Sequence, residues 1–369
     1  MKILFDHQRF GTQQYGGISR YFYELASQLH DIQNGGVGIF APIYVNEYIK
    51  ENDSIRPRGL KIPRIPKLGL TVGLLNTALA TLAIRPRQDI DIFHETYYSK
   101  FDCCPRSAKR VVTVFDMIHE KYPKSFSSLD KTSEAKAHAV RRADHVICIS
   151  EHTRRDLLEQ FGVAPEKTSV VYLGHSLQAT TPSQQRQYDG DAPFVLYVGE
   201  RGGYKNFSAL VRAFAASRLP AEGIRLVCFG GGALSTRETT YMREYGLDPA
   251  LVVWRSGADT VLADLYCRAR LFVYPSLYEG FGIPPLEAMA MGCPVACTNS
   301  SSLPEVVGEA AVLFDPESDE QIVAALECVT FSSGRAQWLA AQGLERARLF
   351  SWRKCAEDTL GVYRRICGE

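Results

Sequence analysis

The chain predicts an α/β fold built as two doubly wound, Rossmann-like domains facing each other across a cleft. Its 369 residues exceed what one ordinary hydrophobic core serves and are enough for two. In each half, short apolar runs that end in Gly-rich or charged loops alternate with helical stretches, the pattern of parallel βα units. Between the two series lies QATTPSQQRQYDGDA, residues 178–192, polar, turn-rich and without periodicity. Residues 1–177 and 193–349 are thus expected as domains joined by that linker. Phe350-Ser351-Trp352 opens a last helix, 350–369, expected to return to the first domain.

A hydrophobic content of 46% with 22% charged residues suits a soluble globular protein, and a formal net charge of +1 supplies no global field for nucleic acid. Ten cysteines are scattered without the paired C-x-x-C spacing of a zinc site and read as buried thiols in a reducing cytoplasm. The opening MKILFDHQRF is expected to enter a strand at once, with no signal-peptide pattern.

In the first half, a strand at 2–5 leads through a loop to Gly16-Gly17. A helix follows with Ile18, Tyr21, Phe22, Leu25 and Leu29 at helical spacing. The two glycines permit close approach of a ligand to the backbone, or simply make a tight turn. No G-x-G-x-x-G follows the strand, which argues against a dinucleotide site. Residues 54–88 carry Arg56, Arg58, Lys61, Arg64, Lys67, Arg85 and Arg87 and no acid, around the apolar stretch LGLTVGLLNTALATLAI at 68–84. That stretch is short for a membrane span. It fits an interfacial helix on an anionic membrane surface, or a core helix with solvated basic ends. Strands at 91–94 and 111–115 deliver His94, Glu95, Asp116 and His119 to the C-terminal edge of a parallel sheet, where such folds hold ligands. A strand at 145–149 ends in Ser150, which reads as the cap of the next helix.

In the second half, strands are expected at 194–198, 226–229, 251–254, 271–274 and 295–297. After the first of them comes GERGGYKN, in which Arg201 and Lys205, four apart, suit the two charges of a diphosphate or else a solvated loop. After 271–274 comes YEGFGIPPLEAMA. Pro284 and Pro285 suit the first positions of a helix, and the amides of Gly280, Phe281, Gly282 and Ile283 are expected to face a ligand. Glu279 precedes the turn near where a sugar ring would sit. Glu287, expected in the helix's opening turn, suits a ribose diol, although the helix dipole alone favours an acid there.

These segments together resemble the family 4 glycosyltransferases, retaining enzymes of GT-B fold that use nucleotide-activated sugars. The resemblance spans nearly the whole chain and is most specific in EGFGIPPLEAMAMGCPV. There Glu279 and Glu287 match the family's E-x7-E pair, the first on the donor sugar's hydroxyls and the second on the ribose. YGGISRY matches the glycine loop bordering the donor phosphates, through Gly16 and Gly17. YVGERGGYKN matches the phosphate-binding pair, Arg201 and Lys205, and DIFHE carries His94 at the position of the histidine that touches the transferred sugar. Phe115, where many relatives have His before Asp116, departs from the pattern and leaves Asp116 without an assigned catalytic role.

The resemblance implies front-face transfer of a mannose- or rhamnose-type hexose, with catalysis by His94, Arg201, Lys205 and Glu279 through positioning and neutralisation of the leaving diphosphate. GDP-sugar is the favoured donor and UDP-sugar the alternative. Glu95, Asp116 and His119 remain acceptor-side candidates, the acceptor being a saccharide or lipid-linked saccharide of surface polysaccharide assembly. No metal is expected, because Asp89-Ile90-Asp91 falls at a strand start and Asp189-Gly190-Asp191 in the linker. Two rivals stand beside this reading: a nonhydrolysing nucleotide-sugar epimerase, and a membrane-surface scaffold acting through 54–88. The place of action is the cytoplasm, with peripheral attachment to the inner face of the membrane if 54–88 meets lipid.

Overall fold

The computed structural model describes residues 1–50, 54–57, 59–65, 69–177 and 192–369. Arg58, Lys67, Asp189-Gly190-Asp191 and nearly all of the expected linker lie outside the described residues. The chain forms two compact units, Met1–Gly174 with Ser351–Glu369, and His175–Phe350.

The first unit holds strands β1 (Ile3–Phe5), β2 (Val37–Ile39), β3 (Ile43–Tyr44), β4 (Leu60–Lys61), β5 (Ile92–Glu95), β6 (Lys109–Val114), β7 (His145–Cys148) and β8 (Thr168–Val170). Its helices are α1 (Gln8–Thr12), α2 (Gly17–Gln33), α3 (Gly69–Ala83), α4 (Ile118–Lys121), α5 (Thr132–Arg142) and α6 (Glu151–Phe161). Six strands form a parallel sheet in the order β2-β1-β5-β6-β7-β8, while β3 and β4 pair separately. β1 and β7 are buried along their whole length, which is why they read as apolar runs rather than as alternating strands. Ser150 accepts a hydrogen bond from the Thr153 amide and caps α6, as its position after β7 suggests.

The second unit holds β9 (Phe194–Val198), β10 (Arg225–Phe229), β11 (Val252–Arg255), β12 (Leu271–Tyr274), β13 (Val295–Thr298) and β14 (Ala311–Phe314). Its helices are α7 (Phe207–Ala216), α8 (Thr236–Glu244), α9 (Asp259–Arg268), α10 (Ile283–Ala290), α11 (Leu303–Val307), α12 (Asp319–Thr330) and α13 (Ser333–Ala347). Its sheet, also parallel, runs β11-β10-β9-β12-β13-β14. Counted within the unit this is the order 3-2-1-4-5-6, which reverses direction between β9 and β12. In parallel sheets of this order, the C-terminal strand ends at the reversal are where ligands bind. The corresponding reversal in the first sheet falls between β1 and β5.

The last helix, α14 (Trp352–Cys367), belongs to the first unit. Ser351 caps it, and Trp352 and Tyr363 are buried in the aromatic core that also holds Tyr21 and Phe22. Gly174 is required where the chain meets this helix, because a Cβ there would collide with the backbone of Trp352. Each unit is thus a six-stranded parallel sheet with flanking helices, the Rossmann-like architecture expected from the sequence.

Candidate active site

At the reversal point of the second sheet, Lys205 and Glu279 meet. β9 ends at Val198, and its loop closes in a 3₁₀ turn, Gly203–Lys205, before Asn206 takes a left-handed conformation at the head of α7. β12 ends at Tyr274, and the Leu277 amide donates to the Tyr204 carbonyl at 2.8 Å, tying the two loops together. Lys205 Nζ then donates to Glu279 Oε1 at 2.7 Å and to Tyr274 Oη at 3.2 Å. Burial by itself would lower the Lys205 ammonium, but Tyr274, Glu279 and Tyr204 around it prevail and hold its pKa above the ordinary lysine value. Burial, with the Glu279 charge adding to it, raises the Tyr274 phenol. Lys205 is therefore a permanent cation on a short tether, with a carboxylate and a phenol as its present partners.

The turn after Glu279 is held from β13's loop. The Glu279 amide donates to Ser301 Oγ at 2.9 Å, and Ser302 Oγ donates to the carbonyls of Glu279 (2.9 Å) and Phe281 (2.8 Å). Gly280 and Phe281 are buried. Gly282 has φ +114° and heads α10, and Ile283 is its first residue. Two corrections follow from that boundary. Glu287 is the fifth residue of α10 and not in its opening turn, so the helix dipole does not account for it; its side chain is buried. Pro284 and Pro285 carry no N–H, so the first turn offers the amides of Ile283 and Leu286 only, a smaller donor set than the spacing suggests.

Arg201 does not converge with Lys205. Its Nε donates to Glu238 Oε1 at 2.5 Å, Nη1 to the Gly230 carbonyl at 3.0 Å and Nη2 to the Ala233 carbonyl at 3.0 Å. Glu238 is in turn the third residue of the capping box that starts α8 with Ser235. The guanidinium thus fastens the glycine turn at 230–232 to α8. All three positions have positive φ, which glycine adopts without steric cost. A cleft of about 990 Å³ is lined by Arg201, Gly231, Ser235, Glu238 and Tyr241, but by neither Lys205 nor Glu279.

In the first unit, His94 is a core residue. It has no exposed surface; Tyr363 Oη lies 2.5 Å from Nδ1 and Thr113 Oγ1 lies 2.9 Å from Nε2. Burial pushes its pKa down to about 3, so the ring is neutral and has no open face for a sugar. Glu95 is likewise inside, gripped by Arg142 Nη2 at 2.7 and 2.8 Å with Arg110 at 3.7 Å; burial outweighs both arginines and pushes it up to about 7. Neither buried side chain is presented to an acceptor. His119 stacks on Phe126 with ring centroids 3.9 Å apart and lies 3.6 Å from Asp130. Asp116, partly exposed after β6, accepts from the Ile118 amide at 3.1 Å and lies 3.8 Å from the buried Lys136. Gly16 and Gly17 stand at the N-terminus of α2; Gly17 is exposed with open space where a Cβ would go.

The polar groups at the first sheet's reversal point are others. Asp6, directly after β1, accepts from the Thr96 amide (2.9 Å), Thr96 Oγ1 (2.5 Å) and Gln8 Nε2 (2.6 Å). Arg9 lies over the Tyr97 ring at 3.1 Å, and its buried Nε has no hydrogen-bond partner among the described residues. The strand-end rule that singles out Asp116 points equally to Asp6, Arg9 and Tyr97; Tyr274, the last residue of β12, was legible on the same ground.

Comparison with known proteins assigns the two halves. Residues 15–179 match the model of Glycosyltransferase Family 4 and residues 179–337 that of Glycosyl transferases group 1. The O-antigen chain mannosyltransferase B of Escherichia coli is 29% identical over 82% of this chain and 81% of its own length. The MMP alpha-(1->4)-mannosyltransferase of Mycolicibacterium hassiacum is 29% identical over 62% of this chain, but the match spans only 56% of that protein. Among solved structures, sucrose-phosphate synthase from Thermosynechococcus elongatus superposes with a TM-score of 0.76 at 22% identity, over 99% of this chain and 98% of that one. WaaG, a glycosyltransferase of lipopolysaccharide biosynthesis, gives 0.72 at 16% over the full length of both. HepE of Anabaena, solved with UDP-glucose, gives 0.72 at 19% over 98% and 99%. The chain belongs to the glycosyltransferases, with a family 4 domain in its N-terminal half and a group 1 domain in its C-terminal half.

Proposed function

We propose that this glycosyltransferase is a retaining hexosyltransferase that moves a mannose- or rhamnose-type sugar from a GDP-sugar to a saccharide or lipid-linked saccharide in surface polysaccharide assembly. The observation that carries it is the Lys205–Glu279–Tyr274 cluster at the reversal point of the second sheet. Without donor, Lys205 and Glu279 neutralise each other. An incoming diphosphate competes for the ammonium, and Glu279, released from it, becomes an acceptor for the sugar's hydroxyls. Glu287 on α10 takes the ribose diol. The acceptor hydroxyl attacks on the face from which the diphosphate leaves; its proton passes to that diphosphate, and Lys205 stabilises the charge that remains. No metal enters this scheme. Arg201 acts at one remove, by shaping the glycine turn at 230–232.

The mannosyltransferase relatives support the hexose and the polysaccharide setting, and the UDP-glucose complex of HepE keeps a UDP-sugar as the second reading. A thermal-shift panel of GDP-, UDP-, ADP- and dTDP-sugars tests both. A donor at a hundred times its Kd raises stability by about 2.7 kcal/mol, and GDP-mannose is expected to give the largest shift. A shift with UDP-sugars alone selects the second reading, and no shift with any of them overturns the proposal. The anomeric configuration of the product, read by NMR, tests retention.

A further inference from the structure

α3 is built inside out. Its inward side carries Val72, Asn76 and Ala80, followed by Ile84 just past its end, all buried; its outward side carries Thr71, Leu74, Leu75, Ala78, Leu79, Leu82 and Ala83, all exposed. Leu82 is 76% exposed, Leu74 60%, Leu75 47% and Leu79 37%. The inward amide of Asn76 is locked to a backbone, donating to the Ile43 carbonyl at 2.7 Å and accepting from the Ile43 amide at 2.9 Å. Thr77 Oγ1 approaches His7 Nε2 at 3.3 Å, and Thr81 Oγ1 lies 3.5 Å from Cys103 Sγ. Those polar anchors fix the rotation of the helix, so the leucines cannot turn inward. A contiguous apolar face of this kind marks an interaction surface.

Charge selects its occupant. Between Asp53 and Asp89 the sequence has seven cations and no acid. Beyond the C-terminal end of α3, Leu82, Arg85, Arg87 and Arg106 line one cleft of about 720 Å³. Arg87 is paired with Asp89 at 2.7 Å, whereas Arg85 and Arg106 are exposed and have no ion-pair partner among the described residues. Leucines flanked by unpaired arginines fit acyl chains beneath anionic headgroups. At 1.5 Å per residue α3 is about 22 Å long, and no described helix is long and apolar enough to cross a membrane. Bound to a bilayer, such a helix would lie along its surface.

We infer that α3 docks this protein on an anionic bilayer, with Leu74, Leu75, Leu79 and Leu82 entering the interface and Arg85 with Arg106 taking a lipid phosphate. Because the other side of α3 touches His7, two residues after β1, the docked surface lies about one helix diameter, roughly 10 Å, from the C-terminal edge of the first sheet. A lipid-linked acceptor would be delivered there. The inference deepens the acceptor reading proposed above, but its test does not pass through activity.

Flotation with phosphatidylcholine vesicles, with and without phosphatidylglycerol, reads it directly. Wild type is expected to float with the anionic vesicles and less as salt is added. The Leu75→Ser/Leu79→Ser/Leu82→Ser variant is expected to lose binding about tenfold or more. Arg85→Glu/Arg106→Glu is expected to lose the preference for phosphatidylglycerol. All changes are at exposed positions, and a wild-type melt with donor-induced stabilisation certifies each variant as folded. That control also keeps failure of docking separate from failure of the donor reading. Absence of wild-type flotation, or undiminished flotation of the leucine variant, overturns the inference. So does a wild-type dimer that the leucine variant disperses, which would assign the face to a second copy of the chain.

Discussion

Replacing Lys205 by Met removes the ammonium while keeping most of the stem, and its two effects separate. Lys205 and Glu279 are mostly buried, with 16% and 11% of their side chains exposed, and stand 2.7 Å apart. Breaking a fully buried pair costs about 3–5 kcal/mol, so a pair with this residual exposure is expected to cost about 1–3 kcal/mol. Loss of a group that stabilises developing charge is expected to lower kcat by about 10²–10³, or about 2.7–4 kcal/mol. Initial rates at saturating donor, together with urea melts, measure both. The double variant Lys205→Met/Glu279→Gln removes the orphaned carboxylate and is expected to recover part of the stability but none of the rate. A raised lysine pKa adds stability below the unfolded value, about 10.4, that is lost only as pH climbs through the folded one. The wild-type rate is therefore expected to show no lysine titration between about pH 6 and 9. A folded Lys205→Met enzyme with kcat within about threefold of wild type, or a double variant that regains both properties, refutes the reasoning.

His94→Gln is expected to keep kcat, because the ring lies between Thr113 and Tyr363; a folded variant that loses turnover would restore the histidine to the active site. In wild type the unfolded ring takes a proton near pH 6.5 and the folded one only near pH 3, so stability falls as pH drops through that window. Urea melts across it should lose up to about 1.4 kcal/mol per pH unit of that slope in the variant. Gly282→Ala is expected to cost about 1–3 kcal/mol, since φ is +114° and the new Cβ would lie 2.6 Å from Leu303 Cδ2; an unchanged melt contradicts it. Chelator is expected to leave the rate intact, as Asp89 is engaged by Arg87 and Lys2, and Asp91 by the Lys2 amide. A loss that Mg²⁺ or Mn²⁺ restores would overturn that expectation.

Strands, turns and the α/β class were legible because burial on both faces writes parallel strands as continuous apolar runs, β9 and β12 being examples. Glu279 and Lys205 were legible as loop residues of chemically useful type after strands, whereas Glu287 lies further along its helix than the sequence suggested. Partnership was not. Lys205 reaches Glu279 across 74 positions because β9 and β12 are neighbours in the sheet, whereas Arg201, four residues away in sequence, turns instead to Glu238. His94 ends up facing Tyr363, 269 positions later, so a strand-end histidine became a core one. For α3 the sequence left interfacial and core readings open, since its stretch is mostly apolar with only scattered Thr and Asn. The Asn76 anchor to Ile43 decided which side faces out. By itself the sequence determined where the strands and helices run, because that depends on neighbours a few positions away. Only the tertiary structure decided which charges meet and which leucines stay exposed, because those outcomes depend on strand order and on polar anchors distant along the chain.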